Sequence, residues 1–116
     1  MTAPRPPIAA EDFFRADVRI GRVVRAEPFP KAKRPAWRLW IDFGPAVGEK
    51  RSSARLTKLY SAQDLVGRLI VAVVNFPPRK IADFESEVLV LGVHTDDETV
   101  VLLQPERDVP AGLPIS

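Results

Sequence analysis

The side chains that carry most acid–base and covalent catalysis are scarce in this sequence. Cysteine is absent and His94 is the only histidine. The chain therefore offers no catalytic thiol and no pair of imidazoles for a metal ion. His94 adjoins the acidic turn Thr95–Glu98, where an imidazole is usually solvated, and the six glycines are isolated, so no phosphate-binding glycine loop is present. These features predict a binding protein without catalytic residues, bound metal or cofactor.

The densest group of polar residues suited to recognition lies in the segment VVNFPPRKIADFESEVLVLG, residues 73–92. Its cations suit phosphate groups, and its amide and hydroxyl groups suit base edges or ribose. The polar members are Asn75, Arg79, Lys80, Ser86 and Glu87. A structural interpretation stays open beside this one, in which Arg79 only pairs with Glu85 or Glu87 to stabilise a loop.

Charge is distributed unevenly along the chain. The net charge is +2, but residues 1–60 carry 13 Lys and Arg against 6 Asp and Glu, whereas residues 61–116 carry 4 against 9. This segregation fits a positive face that meets phosphate or an acidic partner. It fits equally well a surface on which the two signs mix after folding.

The pattern along the chain predicts short strands separated by turns, because the 12 prolines disfavour long helices and long uninterrupted strands. In the first strand, Gly21 coincides with a change of apolar phase and predicts a β-bulge or a sharp bend. Ser61 is expected to cap a short helix that ends at Gly67. Strands are predicted at 17–25, 36–43, 50–57, 68–75, 86–93 and 99–104, with helical turns at 9–16 and after residue 61.

This order predicts an all-β fold, a five-stranded Greek-key barrel of the OB type with short helices and a terminal hairpin extension. An SH3-like barrel is the main alternative, although the helix between the third and fourth strands favours the OB type. Residues 1–8 are predicted to form a flexible arm, and 9–116 a single domain.

Several aromatic residues are candidates for an apolar groove or a dimer contact. In the strand AWRLWIDF, alternation directs Trp37, Leu39, Ile41 and Phe43 to the core and leaves Trp40 on the other face, beside Arg38. Phe13 and Phe14 are adjacent, so a helix would direct them about 100° apart. The candidates are Phe13, Phe14, Trp40, Phe76 and Phe84.

Targeting signals are not evident. No apolar run approaches the roughly 20 residues that span a bilayer. The first residues, MTAPRPP, lack the apolar stretch of a secretory signal. A cytoplasmic location without membrane insertion is the expectation.

Four ordered segments resemble the tRNA-binding domain family, the OB-fold modules appended to some aminoacyl-tRNA synthetases and their free-standing relatives. They are DVRIGRVVRAEPFPKAKRPAWRLWIDFG, KRSSARLTKLY, LIVAVVNFPPRKIADFESEVLVLG and VVLLQPERDVPAG. Within this family the sequence is most similar to the CsaA secretion-chaperone branch. In this sequence Arg55 stands where the family commonly has a neutral polar residue.

The resemblance implies an OB barrel, a homodimer and no catalytic activity. It places the family's binding cleft on Ser52, Ser53, Lys58, Asn75, Arg79, Lys80, Ser86 and Glu87. For the CsaA branch it implies an export-related chaperone that binds unfolded precursor polypeptides and meets the SecA motor. The alternative function is structure-specific tRNA binding by the dimer.

Overall fold

The structure, a computed structural model, describes residues 2–116 and consists mainly of short strands. Two one-turn helices, α1 (Ala10–Phe13) and α2 (Ala62–Leu65), accompany them. The strands are β1 (Val18–Pro28), β2 (Trp37–Asp42), β3 (Glu49–Ala54), β4 (Leu69–Val73), β5 (Arg79–Ile81), β6 (Phe84–Ser86), β7 (Leu89–Val90), β8 (Gly92–His94) and β9 (Val100–Leu102).

Five strands form a nearly closed antiparallel barrel in the order β3-β2-β1-β4-β7. The barrel closes where the N–H groups of Glu87 and Val88 donate to the carbonyl of Arg51, at 2.8 and 3.3 Å. Strands β8 and β9 form the predicted terminal hairpin. The predicted OB-type barrel with short helices is therefore confirmed.

The core follows the alternation of β2 and the continuous apolar run of β4. Leu39, Ile41 and Phe43 are fully buried, as the period-two pattern predicts. All five residues of β4 are buried because this strand has neighbours on both of its edges and apolar residues on both faces. Trp37 is partly buried against the core and donates its indole N–H to the carbonyl of Tyr60 at 2.9 Å.

The β-bulge predicted at Gly21 lies elsewhere. The pairing of β1 with β2 shifts between Val23 and Arg25, so Val24 is the extra residue. Gly21 has a packing role instead, since a Cβ there would lie 2.6 Å from both Ile41 Cγ2 and Phe43 Cε1. The glycine allows β1 to approach the core side chains of β2 closely.

The strand predicted at 86–93 is wrong, since this segment is divided among β6, β7 and β8 in three sheets. The chain turns away at Glu87 and Val88 to bond with Arg51, and Leu91 then donates to the carbonyl of Val71 at 2.8 Å. The apolar run alone did not reveal these changes of partner. The preceding segment, expected to be a loop, contains β5, which pairs with β6.

The helices are short. α1 covers 10–13 rather than 9–16 and buries no residue, and α2 begins with the predicted Ser61 cap. The Ser61 hydroxyl accepts from the Asp64 N–H, and the Asp64 carboxylate accepts from the Ser61 N–H at 2.9 Å, which lowers the pKa of Asp64. Over residues 2–116 no helix is long and apolar enough to cross a membrane.

The predicted N-terminal arm covers residues 1–8, and Met1 lies outside the described residues. The stretch 2–9 belongs to no helix or strand, and each of its residues is exposed. It therefore adds nothing to the barrel core.

Candidate binding groove

Two segments are joined beside the barrel, the β1–β2 connection (residues 29–36) and the β5–β6 hairpin. The ring of Phe29 packs edge-on against Phe84 with the centroids 5.5 Å apart, and both rings are buried. Lys31 Nζ donates to the Asp83 carboxylate at 2.7 Å, and this bond lowers the pKa of Asp83. An apolar contact and an ion pair thus hold the two segments on either side of a groove.

The larger part of this groove is a cavity of about 590 Å³, called here the basic cavity. Six of its lining residues are cations and none carries a carboxylate: Lys31, Lys33, Arg34, Arg55, Arg79 and Lys80. Within residues 2–116 only Lys31 among these six forms an ion pair. The residues that line the cavity therefore carry an excess of positive charge.

The smaller part is a cavity of about 300 Å³, called here the apolar cavity. Phe76 and Leu89 line it and are each 50% exposed, although both are large apolar side chains. Ser53, Arg79 and Ile81 line both cavities, so the two parts adjoin. The groove as a whole offers anion-binding groups at one end and apolar surface at the other.

Arg79 and Lys80 lie in the groove as predicted and are exposed. In the described part of the chain neither side chain makes an ion pair. The structural alternative for Arg79 is wrong, because Glu85 and Glu87 lie 3.8 and 3.4 Å from Arg51 instead. Both cations are thus available to a ligand.

Ser53, Ser86 and Glu87 also lie at the groove, but their polar groups hold the barrel closed. The Ser53 N–H donates to the Ser86 hydroxyl at 3.0 Å. The Arg51 N–H donates to the Glu87 carboxylate at 3.0 Å. These bonds join β3 to the end of β6, so they position the groove wall.

Three predicted residues lie outside this arrangement. Ser52 is 1% exposed and donates its hydroxyl to the Val88 carbonyl at 2.9 Å, which corrects its assignment to the binding surface. Asn75 accepts from the Asp17 N–H at 2.8 Å and donates to the Arg15 carbonyl, so it ties the end of β4 to the segment before β1. Lys58 lines a further cavity, which adjoins the basic cavity through Arg34 and Arg55, and pairs with Glu98 at 3.3 Å.

The five apolar candidates differ in exposure and in their position relative to the groove. Phe84 is 4% exposed, so its assignment to an open groove is corrected: its ring anchors the β1–β2 connection. Trp40 is partly buried, with its edge against Phe84 and the Arg25 guanidinium 4.1 Å above its ring. Phe13 and Phe14 remain exposed, and their rings lie edge-on to each other with the centroids 5.1 Å apart. Of this group, Phe76 alone lines the groove.

Sequence reasoning missed four of the six cations in the basic cavity. Three of them, Lys31, Lys33 and Arg34, lie in the proline-rich stretch EPFPKAKRP. Their clustering was visible in the sequence, but only the contact of Phe29 with Phe84 brings them beside β5. In the described residues, no three carboxylate, thiol or imidazole groups lie close enough to hold a metal ion.

Comparison with known proteins agrees with this architecture. A family model described as "Putative tRNA binding domain" matches residues 18–114. A crystal structure of chaperone CsaA from Bacillus anthracis is 53% identical, covers 96% of this chain and 100% of that chain, and superimposes with a TM-score of 0.91. That of the CsaA chaperone protein from Picrophilus torridus is 43% identical, with 95% and 100% covered and a TM-score of 0.87.

Curated relatives include much longer enzymes. The methionine–tRNA ligase of Methanothrix thermoacetophila is 38% identical over 109 residues, which is 93% of this chain and 15% of the ligase. The ligase of Porphyromonas gingivalis is 34% identical over 105 residues, 90% of this chain and again 15% of the enzyme. The chain thus spans about 15% of the length of these relatives. From the match over 18–114 and the two CsaA structures, we conclude that the chain is a CsaA-like member of the tRNA-binding domain family.

Proposed function

We propose that this protein is a non-catalytic molecular chaperone that binds extended segments of unfolded polypeptide in the groove. The observation that carries the proposal is the adjoining of an apolar cavity and a basic cavity through Ser53, Arg79 and Ile81. An unfolded chain exposes apolar side chains that a folded one buries, and the apolar cavity suits these groups. The basic cavity suits carboxylates on the same segment.

The comparisons support this proposal. Solved structures 53% and 43% identical to this chain carry the description of CsaA chaperones. The proposal assigns no reaction to the chain, because the alignment with the ligases covers only about 15% of their length. It treats residues 9–116 as one binding domain.

The resemblance to secretion chaperones extends the proposal to partners. Precursors destined for export are the proposed polypeptides, the SecA motor is the proposed recipient, and the cytoplasm is the proposed place of action. An apolar cavity flanked by cations suits such precursors while they are still unfolded.

Replacing Phe76 and Leu89 together with alanine is expected to weaken the binding of an unfolded polypeptide about tenfold, because both side chains would lose apolar contact area. The probe is a reduced and carboxymethylated protein, which stays unfolded, and its native form serves for comparison. Fluorescence anisotropy measures both affinities. Leu59→Ala is the matched control, since Leu59 is also 50% exposed but does not line the groove. Equal affinity for the native and unfolded forms would contradict the proposal.

A second candidate function is tRNA binding, and the six cations of the basic cavity favour it. With no carboxylate among the lining residues, the cavity suits phosphate as well as it suits a carboxylate. A dimer would present two such grooves to one folded RNA and raise the avidity through effective concentration. RNA binding is expected to weaken more steeply with salt than polypeptide binding, because RNA is held through many phosphates, whereas a polypeptide is held in part by burial of apolar surface, which depends little on salt.

We also propose that the protein is a homodimer. Phe13 is 47% exposed and Phe14 55% exposed, and α1 buries none of its residues in the barrel. Neighbouring exposed aromatic rings are typical of surfaces that a partner covers. Sedimentation equilibrium at micromolar concentration is expected to give twice the mass of 12.9 kDa. A monomer mass for the unmodified protein, or an unchanged dimer after Phe13→Ser and Phe14→Ser, would exclude this interface.

A further inference from the structure

We infer that the free edge of β5 binds the polypeptide by adding its extended backbone as a third strand of the β5–β6 sheet. The inference rests on the proposed chaperone function and identifies how the substrate is held. Within residues 2–116, β5 pairs only with β6, in a sheet of two strands. An unpaired edge is the surface that domains use when they recognise extended peptides through main-chain hydrogen bonds.

The register of the hairpin determines which backbone groups face this edge. Ala82 and Asp83 form the two-residue loop of the hairpin. Ile81 and Phe84, which flank this loop, are paired with each other. A pair that closes a two-residue loop exchanges both of its hydrogen bonds, and the next pair exchanges none. Lys80, paired with Glu85, therefore directs its N–H and carbonyl away from β6.

These two backbone groups are unoccupied. Across residues 2–116, neither the N–H nor the carbonyl of Lys80 has a hydrogen-bond partner outside the strand pairing. Lys80 is also an exposed residue. One donor and one acceptor at the same residue are the pair that an added antiparallel or parallel strand requires.

The surroundings of β5 indicate which polypeptide fits. All three of its residues line the basic cavity, and Arg79 and Ile81 also line the apolar cavity. Side chains of an added strand alternate between two faces and could thus reach both parts of the groove. The occupant is therefore an extended segment that combines acidic with apolar residues.

The composition of the edge limits what else can pair with it. Pro77 and Pro78, directly before β5, have no N–H to donate, so an added strand is restricted to a few residues. A second copy of β5 would bring its own Arg79 and Lys80 against the same cations, and this repulsion disfavours pairing between copies. A short acidic strand satisfies both restrictions.

The first test uses synthetic peptides. The probe is a short fluorescent peptide in which glutamate and leucine alternate, prepared without modification and with N-methyl groups on either the glutamates or the leucines. Because an added strand turns every second N–H toward the edge, one methylated form is expected to lose binding and the other to retain it. Equal affinities of the two methylated forms would overturn the inference.

The second test changes the edge itself. Lys80→Pro removes the outward N–H together with the charge, and Lys80→Gln removes only the charge. Because this N–H takes no part in the β5–β6 ladder, proline is compatible with the hairpin, and thermal unfolding checks that both variants fold. The proline variant is expected to bind the unmodified peptide about tenfold more weakly than the glutamine variant. Equal affinities of the two folded variants for the peptide would contradict strand addition. If the proline variant does not fold, the comparison of the two N-methylated peptides tests strand addition instead.

Binding of an RNA oligonucleotide and of the unfolded protein probe separates the strand-addition inference from the proposed chaperone function. A uridine oligonucleotide has no peptide backbone, so the Lys80→Pro and Lys80→Gln variants are expected to bind it with equal affinity. A selective loss of RNA binding in the proline variant would indicate a distorted groove and overturn the inference. Retained binding of the carboxymethylated protein, with no sensitivity to N-methylation, would remove strand addition and leave the chaperone function. Loss of binding to both polypeptide probes would remove both.

Discussion

Replacing Gly21 with alanine is expected to lower the free energy of unfolding by about 2–3 kcal/mol, the effect of overfilling a well-packed core. The new Cβ would lie 2.6 Å from Ile41 Cγ2 and from Phe43 Cε1, and both side chains are fully buried. Neither can move without displacing other core residues. Urea denaturation measures the loss as a lower midpoint at an unchanged slope.

Two further variants separate steric crowding from backbone effects. Gly67→Ala introduces a Cβ at a φ of +89° with no neighbouring atom within 4 Å, so it tests strain alone and is expected to cost only about 1 kcal/mol. Phe43→Leu combined with Gly21→Ala relieves part of the overlap, so the two changes together are expected to cost less than their sum. Strict additivity would show that Gly21 is not needed for close packing.

Replacing Arg79 and Lys80 together with alanine is expected to lower tRNA affinity and to flatten its salt dependence. Both side chains are exposed in the basic cavity and are free of ion pairs with the described residues. Each phosphate contact contributes roughly 0.7 to 0.9 to the slope of log affinity against log salt, so the slope should fall by about 1.4 to 1.8. Filter binding or anisotropy over a series of salt concentrations measures both quantities.

The matched control removes the same charge from another cavity. Arg22 and Arg107 line a cavity that shares no residue with the groove, and Arg22 pairs with Asp108 at 3.0 Å. Their joint replacement with alanine is expected to leave the slope nearly unchanged. An equal decrease of the slope in both double variants would indicate an effect of net charge alone. An unchanged slope in the Arg79 and Lys80 variant would exclude this part of the groove from RNA binding.

The sequence allowed either a positive face or a surface on which the two signs of charge mix, and each describes a part of the folded surface. Several cations of the first half pair with acids of the second, among them Arg51 with Glu87 and Lys58 with Glu98. Lys33, Arg34 and Arg55 have no such partner in residues 2–116, and they join Arg79 and Lys80 at the groove. Linear order could not distinguish the two groups, because pairing depends on which loops the barrel brings together.

Residue patterns alone were sufficient for the barrel class, the core face of β2, the buried β4 and the Ser61 cap. The barrel class follows from the order of strands and helix along the chain, and the other three depend on residues near in sequence or on the pattern of a single strand, which can be read locally. The family was likewise evident from four ordered segments, and the match over residues 18–114 agrees with it.

Tertiary structure alone decided the composition of the groove. Ser52 and Phe84 are buried, and Asn75 is engaged with the segment before β1, although their residue types suit recognition. The division of residues 86–93 among three sheets and the alignment of the β1–β2 connection with β5 depend on partners far away in the chain. Such contacts are selected by the closure of the whole barrel, so no local pattern encodes them.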